Sequence, residues 1–310
     1  YNYGTINGNA TFNDSSYNDY GEISGNATFN DSSYNNGGVI DGDMYVKGNW
    51  WSGAAGAPTG NELVIADGRY WSSYVTGRVY DTSEVPIEIT QYTFNGSSYN
   101  YGTINGNATF NDSSYNYVTI NGSVIFNLTN PNAGNQRGII NAGDAGTVSG
   151  NFRTTSGITF QSGTVSSNIS GTGGVTKTGA GTVTLSGTST YTGVTRLMGG
   201  VLSVSVIGDG GVAGNIGKAT NAAGNLVFNG GTLRYTGATA STNRNFTINA
   251  NKTATIEITE AANTLTMSGA STATNGSLTK TGAGTLLLSG ANRYTGATNV
   301  NAGTLILRNG

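Results

Sequence analysis

The chain repeats itself at a step too short for any repeat to own a core. Residues 3–18 return at residues 20–35, an offset of 17: Ile6, Gly8, Ala10 and Phe12 are matched by Ile23, Gly25, Ala27 and Phe29. The closing Asn13, Asp14, Ser15, Ser16, Tyr17 and Asn18 are matched by Asn30, Asp31, Ser32, Ser33, Tyr34 and Asn35. A degenerate third copy holds Ile40, Gly42, Met44 and Val46. The unit resumes with Phe94 and Tyr99, and then runs over residues 101–116 and 117–127 at a step of 16.

Within a copy, Ile6, Gly8, Ala10 and Phe12 fall on one side and Thr5, Asn7, Asn9 and Thr11 on the other. A period of two belongs to a strand and not to a helix. The Asn-Asp-Ser-Ser segment that follows is rich in side chains that bond their own backbone in turns. One strand and one turn cannot bury an apolar face alone. Copies stacked about 4.8 Å apart can, because each covers the next. The spacing therefore predicts an all-β fold, a parallel β-helix or β-solenoid. Equivalent residues should form columns: Phe12 with Phe29, Phe110 with Phe126, and Tyr17, Tyr34, Tyr99 and Tyr115 at one turn position. The glycines Gly8, Gly25, Gly42, Gly106 and Gly122 share another position, where the cross-section is too tight for a side chain or the chain must bend.

Composition removes several classes of chemistry. The sequence has no cysteine and no histidine, so disulfides, thiolate catalysis and the commonest transition-metal ligand are absent. Charged residues make up 10%, with 14 basic against 16 acidic, and no concentrated basic segment suits nucleic acid. No apolar run spans a bilayer, so direct membrane insertion is not expected. Both ends fall inside or beside repeats and read as cut edges of a longer chain. No cofactor and no metal are expected. Asp14, Asp31 and Asp112 recur beside serines. Their spacing could suit a calcium ladder, but the dense Gly and Asp pattern of calcium-binding rolls is missing, which favours turn capping.

From about Gly138 the repeats loosen. Val175 to Gly187 (VTKTGAGTVTLSG) recurs as Leu278 to Gly290 (LTKTGAGTLLLSG), an offset of 103. The match continues through Tyr191, Thr192 and Gly193 against Tyr294, Thr295 and Gly296, and through Gly200 to Val204 against Gly303 to Leu307. These two stretches resemble the passenger-associated β-strand repeat of autotransporter proteins. The resemblance implies a right-handed β-helix exposed at a bacterial surface, in a family of adhesins, aggregation factors and some enzymes. Lys177 and Lys280 occupy equivalent positions and are expected to be solvated turn residues.

Four segments follow: short-period coils over 1–46, a folded insertion over 47–93, resumed short coils over 94–137, and a Gly/Thr/Asn-rich autotransporter-like β-helix over 138–310. The insertion holds all three tryptophans, and Trp50, Trp51, Arg69, Tyr70, Trp71, Tyr74 and Arg78 are its candidate binding residues. Aromatic rings beside arginines suit sugar stacking or protein recognition, although the same rings could simply pack an irregular coil. The expected function is a structural or adhesive fibre segment, secreted or at the cell surface, and not an enzyme. Its expected partners are glycans, surface proteins of a host or neighbouring cell, or further copies of itself, end to end or side by side. The alternative is a glycan-binding or glycan-degrading β-helix of tail-spike type, with carboxylates drawn from Glu62, Asp67, Asp81 and Glu84.

Overall fold

A computed structural model describes residues 1–30, 33–36, 39–40, 44–46, 50–51, 55–56, 62–65, 69–70, 79–80, 86–87, 91–94, 99–100, 104–117, 119–128, 136–143 and 145–308. The chain is an all-β, right-handed parallel β-solenoid, the hand of nearly all parallel β crossovers. Among the described residues, the only helical segment is the 3-10 turn Ala223–Asn225. The chain divides into two compact units, residues 1–130 and 131–310.

In the first unit the 17-residue offset becomes residue-for-residue stacking. The strand Ala10–Phe12 pairs with Ala27–Phe29, and that strand pairs with Met44–Val46. Ile6 lies beside Ile23, which lies beside Ile40. The 16-residue coils behave alike, with Phe94, Phe110 and Phe126 as successive partners. Phe12 and Phe29 stack with ring centroids 4.9 Å apart, Phe94 and Phe110 at 4.6 Å, and Phe110 and Phe126 at 5.5 Å. Tyr17 is the partner of Tyr34, and Tyr99 the partner of Tyr115. The Tyr17 ring meets Tyr1 edge-on at 4.2 Å, while Tyr115 stacks on Tyr117 at 6.1 Å.

Polar residues also enter this core. Asn18, Asn100 and Asn116 are fully buried one residue after the tyrosine position. Asn100 Nδ2 donates to Asn116 Oδ1 at 2.7 Å, and Asn2 Nδ2 donates to Asn18 Oδ1 at 2.7 Å. A buried amide unmatched by such a partner would cost about 1–3 kcal/mol, so the column only works as a column. Each turn closes with a serine: the Ser16, Ser33 and Ser114 hydroxyls donate to Asn13, Asn30 and Asn111 carbonyls three residues earlier. The glycine column is packed along the stacking axis. A Cβ on Gly25 would run into Gly8 and Asn9, and one on Gly122 into the Gly106 carbonyl.

In the second unit the coils lengthen. Val175 pairs with Thr195, a step of 20, but Thr195 pairs with Leu226, a step of 31. The extra residues form an excursion between the strands Val201–Val204 and Leu226–Phe228. Inward columns run Phe160, Lys177, Leu197, Phe228 and Ile248 on one side, and Val183, Leu202, Leu233, Ile256 and Lys280 on another. Each column thus contains one lysine among apolar neighbours.

Candidate functional site

The two repeat lysines are not solvated turn residues. Both are fully buried. The alternation Val175, Thr176, Lys177 turns Lys177 inward with Val175, and its aliphatic stem continues the apolar column. Lys177 Nζ then donates to the carbonyls of Thr178 (2.5 Å), Gly179 (3.0 Å) and Gly199 (3.2 Å). Lys280 Nζ repeats the arrangement with Thr281 (2.5 Å), Gly282 (2.9 Å) and Ala302 (3.2 Å). Three ammonium protons meet three carbonyls, two from the lysine's own corner and one from the coil above. The glycines of the motif make the space: Gly179, Gly200, Gly282 and Gly303 have φ of 69°, 58°, 74° and 67°. A Cβ on Gly200 would also lie 2.6 Å from Lys177 Nζ.

Burial lowers Lys177 to about 8. Burial lowers Lys280 as well, opposed by the Glu257 carboxylate. Both the carbonyls and Glu257 favour the charged form, and desolvation outweighs them. The unfolded chain therefore keeps a proton that the fold releases between about pH 8 and the ordinary lysine value of 10.5. Stability from this site is complete above that window and lost as pH falls through about 8. The expected result is that the unfolding free energy of the chain rises between pH 8 and 9.5 relative to Lys177→Met, by up to about 1.4 kcal/mol per pH unit. Denaturant titrations at three pH values check this, and parallel curves for the two proteins would refute it.

A third buried cation holds the excursion. Arg244 is 2% exposed. Its Nε donates to Gly208 O at 2.8 Å, Nη1 to Ala219 O at 3.2 Å, and Nη2 to Gly217 O at 2.8 Å and Val212 O at 3.3 Å. Asn215 adds a second clasp, accepting from the Ser205 and Val206 amides and donating to Gly187 O. Beneath them Tyr191 is fully buried, with its hydroxyl 2.7 Å from Thr195 Oγ1, and burial raises its phenol far above the ordinary value. In the second copy of the repeat the same pair, a half-buried Tyr294 and an exposed Thr298, keeps its contact at 2.9 Å. It borders a shallow depression lined by Leu288, Asn292, Leu307 and Arg308.

All of these buried cations donate to backbone carbonyls. One outward column of the second unit runs Thr182, Val201, Thr232, Thr255, Thr279 and Asn299. The next runs Thr184, Ser203, Arg234, Glu257 and Thr281, where Arg234 Nε and Glu257 Oε2 pair at 2.8 Å. Among the described residues no group of three or more acidic side chains could hold a metal ion.

The candidate binding residues of 47–93 are only partly placed. Trp50–Trp51 is a strand antiparallel to Ala55–Gly56. Arg69–Tyr70 lies parallel to Tyr99–Asn100, which puts Arg69 in the backbone register of the tyrosine column. Glu62–Ile65 pairs with Gln91–Phe94, so part of this segment continues the coil stack. Trp71, Tyr74 and Arg78 lie outside the described residues, as do Asp67, Asp81 and Glu84.

Comparison with known proteins agrees with this architecture. Residues 175–204 and 278–307 match the passenger-associated-transport-repeat family. The chain is also similar to the adhesin BmaC autotransporter of Brucella suis biovar 1 (strain 1330), at 48% identity over 130 residues. That match covers 42% of this chain and 4% of the relative, so the chain spans a small part of such a protein. No solved structure matches. With both matched repeats closing on a buried lysine inside a parallel coil stack, the chain is a β-solenoid repeat protein that carries two passenger-associated transport repeats and is similar to an autotransporter passenger.

Proposed function

We propose that this chain is an extracellular, structural and adhesive segment of a bacterial surface protein. The observation that carries the reading is the pair of passenger-associated repeats, each seated in the parallel coil stack with its lysine turned inward and threonines outward. Such a segment presents surface without moving parts. Contact is proposed to centre on residues 47–93, with Trp50, Trp51, Arg69, Tyr70, Trp71, Tyr74 and Arg78 meeting glycans or cell-surface proteins.

Displaying the chain on a non-adherent bacterium tests this directly. Adhesion to host cells or to a glycan array is expected, without release of reducing ends from the bound glycans. Replacing Trp50, Trp51 and Trp71 together with alanine is expected to reduce that adhesion at least tenfold. Reducing-end release that disappears on Glu62→Gln or Asp67→Asn substitution would establish a glycan-degrading protein and sink the adhesive reading.

A further inference from the structure

The whole-chain net charge of −2 conceals a division. Residues 1–130 hold 12 of the 16 acidic residues and 3 of the 14 basic ones, a formal charge of −9. Residues 131–310 hold the remaining 4 acidic and 11 basic residues, a formal charge of +7. The boundary is the one that separates the two compact units. Lys177, Lys280 and Arg244 are buried. Setting these three aside leaves eight basic residues against four acidic in the second unit. Arg137, Lys218, Lys252, Arg293 and Arg308 are exposed.

Two copies with a net charge of −2 each repel little at long range. At close range an acidic unit of one and a basic unit of the other attract, while like units repel. We propose that copies of this chain associate with each other heterotypically, the 1–130 unit of one copy against the 131–310 unit of another, through these opposite charges. The proposal rests on the surface-fibre reading above and names a partner for it, a second copy of the chain. Complementary charge favours this partner over an anionic polysaccharide, which would leave the excess of −9 in the first unit without a role.

Full-length purified chain in sedimentation velocity is expected to self-associate at 50 mM NaCl and to do so at least tenfold more weakly at 500 mM, where the screening length falls to about 4 Å. Two full-length variants then separate the arms. One carries Arg137→Gln, Lys218→Gln, Lys252→Gln and Arg293→Gln. The other carries Asp14→Asn, Asp19→Asn, Glu22→Gln and Glu84→Gln. Each alone is expected to associate at least tenfold more weakly than the parent, and a mixture to recover association, because each supplies the unit the other lacks. Association insensitive to salt, or a mixture no stronger than either variant, overturns the proposal. So does a chain that stays monomeric yet binds a heparin column through the 131–310 charges, which identifies a polyanion as the partner. Circular dichroism confirms that both variants fold. Adhesion of the displayed chain to host cells is read separately, so a parent chain that adheres but does not self-associate rejects this inference and leaves the surface-fibre reading standing.

Discussion

Arg244→Met is expected to cost the second unit about 3 kcal/mol or more, concentrated in residues 205–222. The substitution keeps an apolar stem but removes the guanidinium donors, which orphans the Val212 and Gly217 carbonyls and leaves Gly208 with Thr242 Oγ1 and Ala219 with the Gly211 amide. The excursion can relieve those orphaned groups only by opening to water, and opening uncovers Ile207, Ile216 and Tyr191, all buried in the native chain. Amide exchange over 205–222 should accelerate by about a hundredfold, the equivalent of that loss. Ultraviolet titration should show one additional tyrosine ionising near the ordinary value, since the burial that raises Tyr191 is gone. Unchanged exchange in this segment would mean that the Asn215 clasp holds it without the guanidinium.

In the first unit the largest effect is expected at the phenylalanine column. Phe110 is fully buried between Phe94 and Phe126. Phe110→Ala is expected to destabilise this unit by about 3–5 kcal/mol, the range for deleting a buried ring whose cavity cannot close. Closure is hindered because the rings above and below belong to coils held by their own ladders. All three tryptophans lie in residues 1–130, so tryptophan fluorescence in a denaturant titration follows this unit alone. A loss below about 1 kcal/mol would show that the neighbouring coils collapse into the gap.

Much of this architecture is written in short-range pattern. The 17-residue offset and the alternation of Ile6, Gly8, Ala10 and Phe12 specify both which residues share a face and which coil covers which. The lysines show where pattern and polarity compete. Charge argued for the surface, but Val175, Thr176 and Lys177 alternate as a strand, and the alternation prevails because three carbonyls wait at a glycine corner. Asn18 carried the same signal, one step after Tyr17 and therefore inward. Arg244 carried none that reading along the chain could find, since its acceptors lie 25 to 36 residues away in a segment without repeats. The charge division was fully present in the sequence but cancels in the total. The segment 47–93 breaks the repeat, and its residues are the ones whose positions periodicity does not dictate.

Residue-for-residue pairing between neighbouring coils also makes length a quantised property. Excising one 17-residue copy brings Ile6 onto Ile40 and Phe12 onto Val46, an apolar residue onto an apolar residue in both columns. Excising an odd fraction of a copy turns every later strand inside out, because alternate side chains face opposite ways. Genes of this design can therefore grow or shrink by whole windings without rewriting the joints, and a population of such chains would differ in reach while sharing one cross-section.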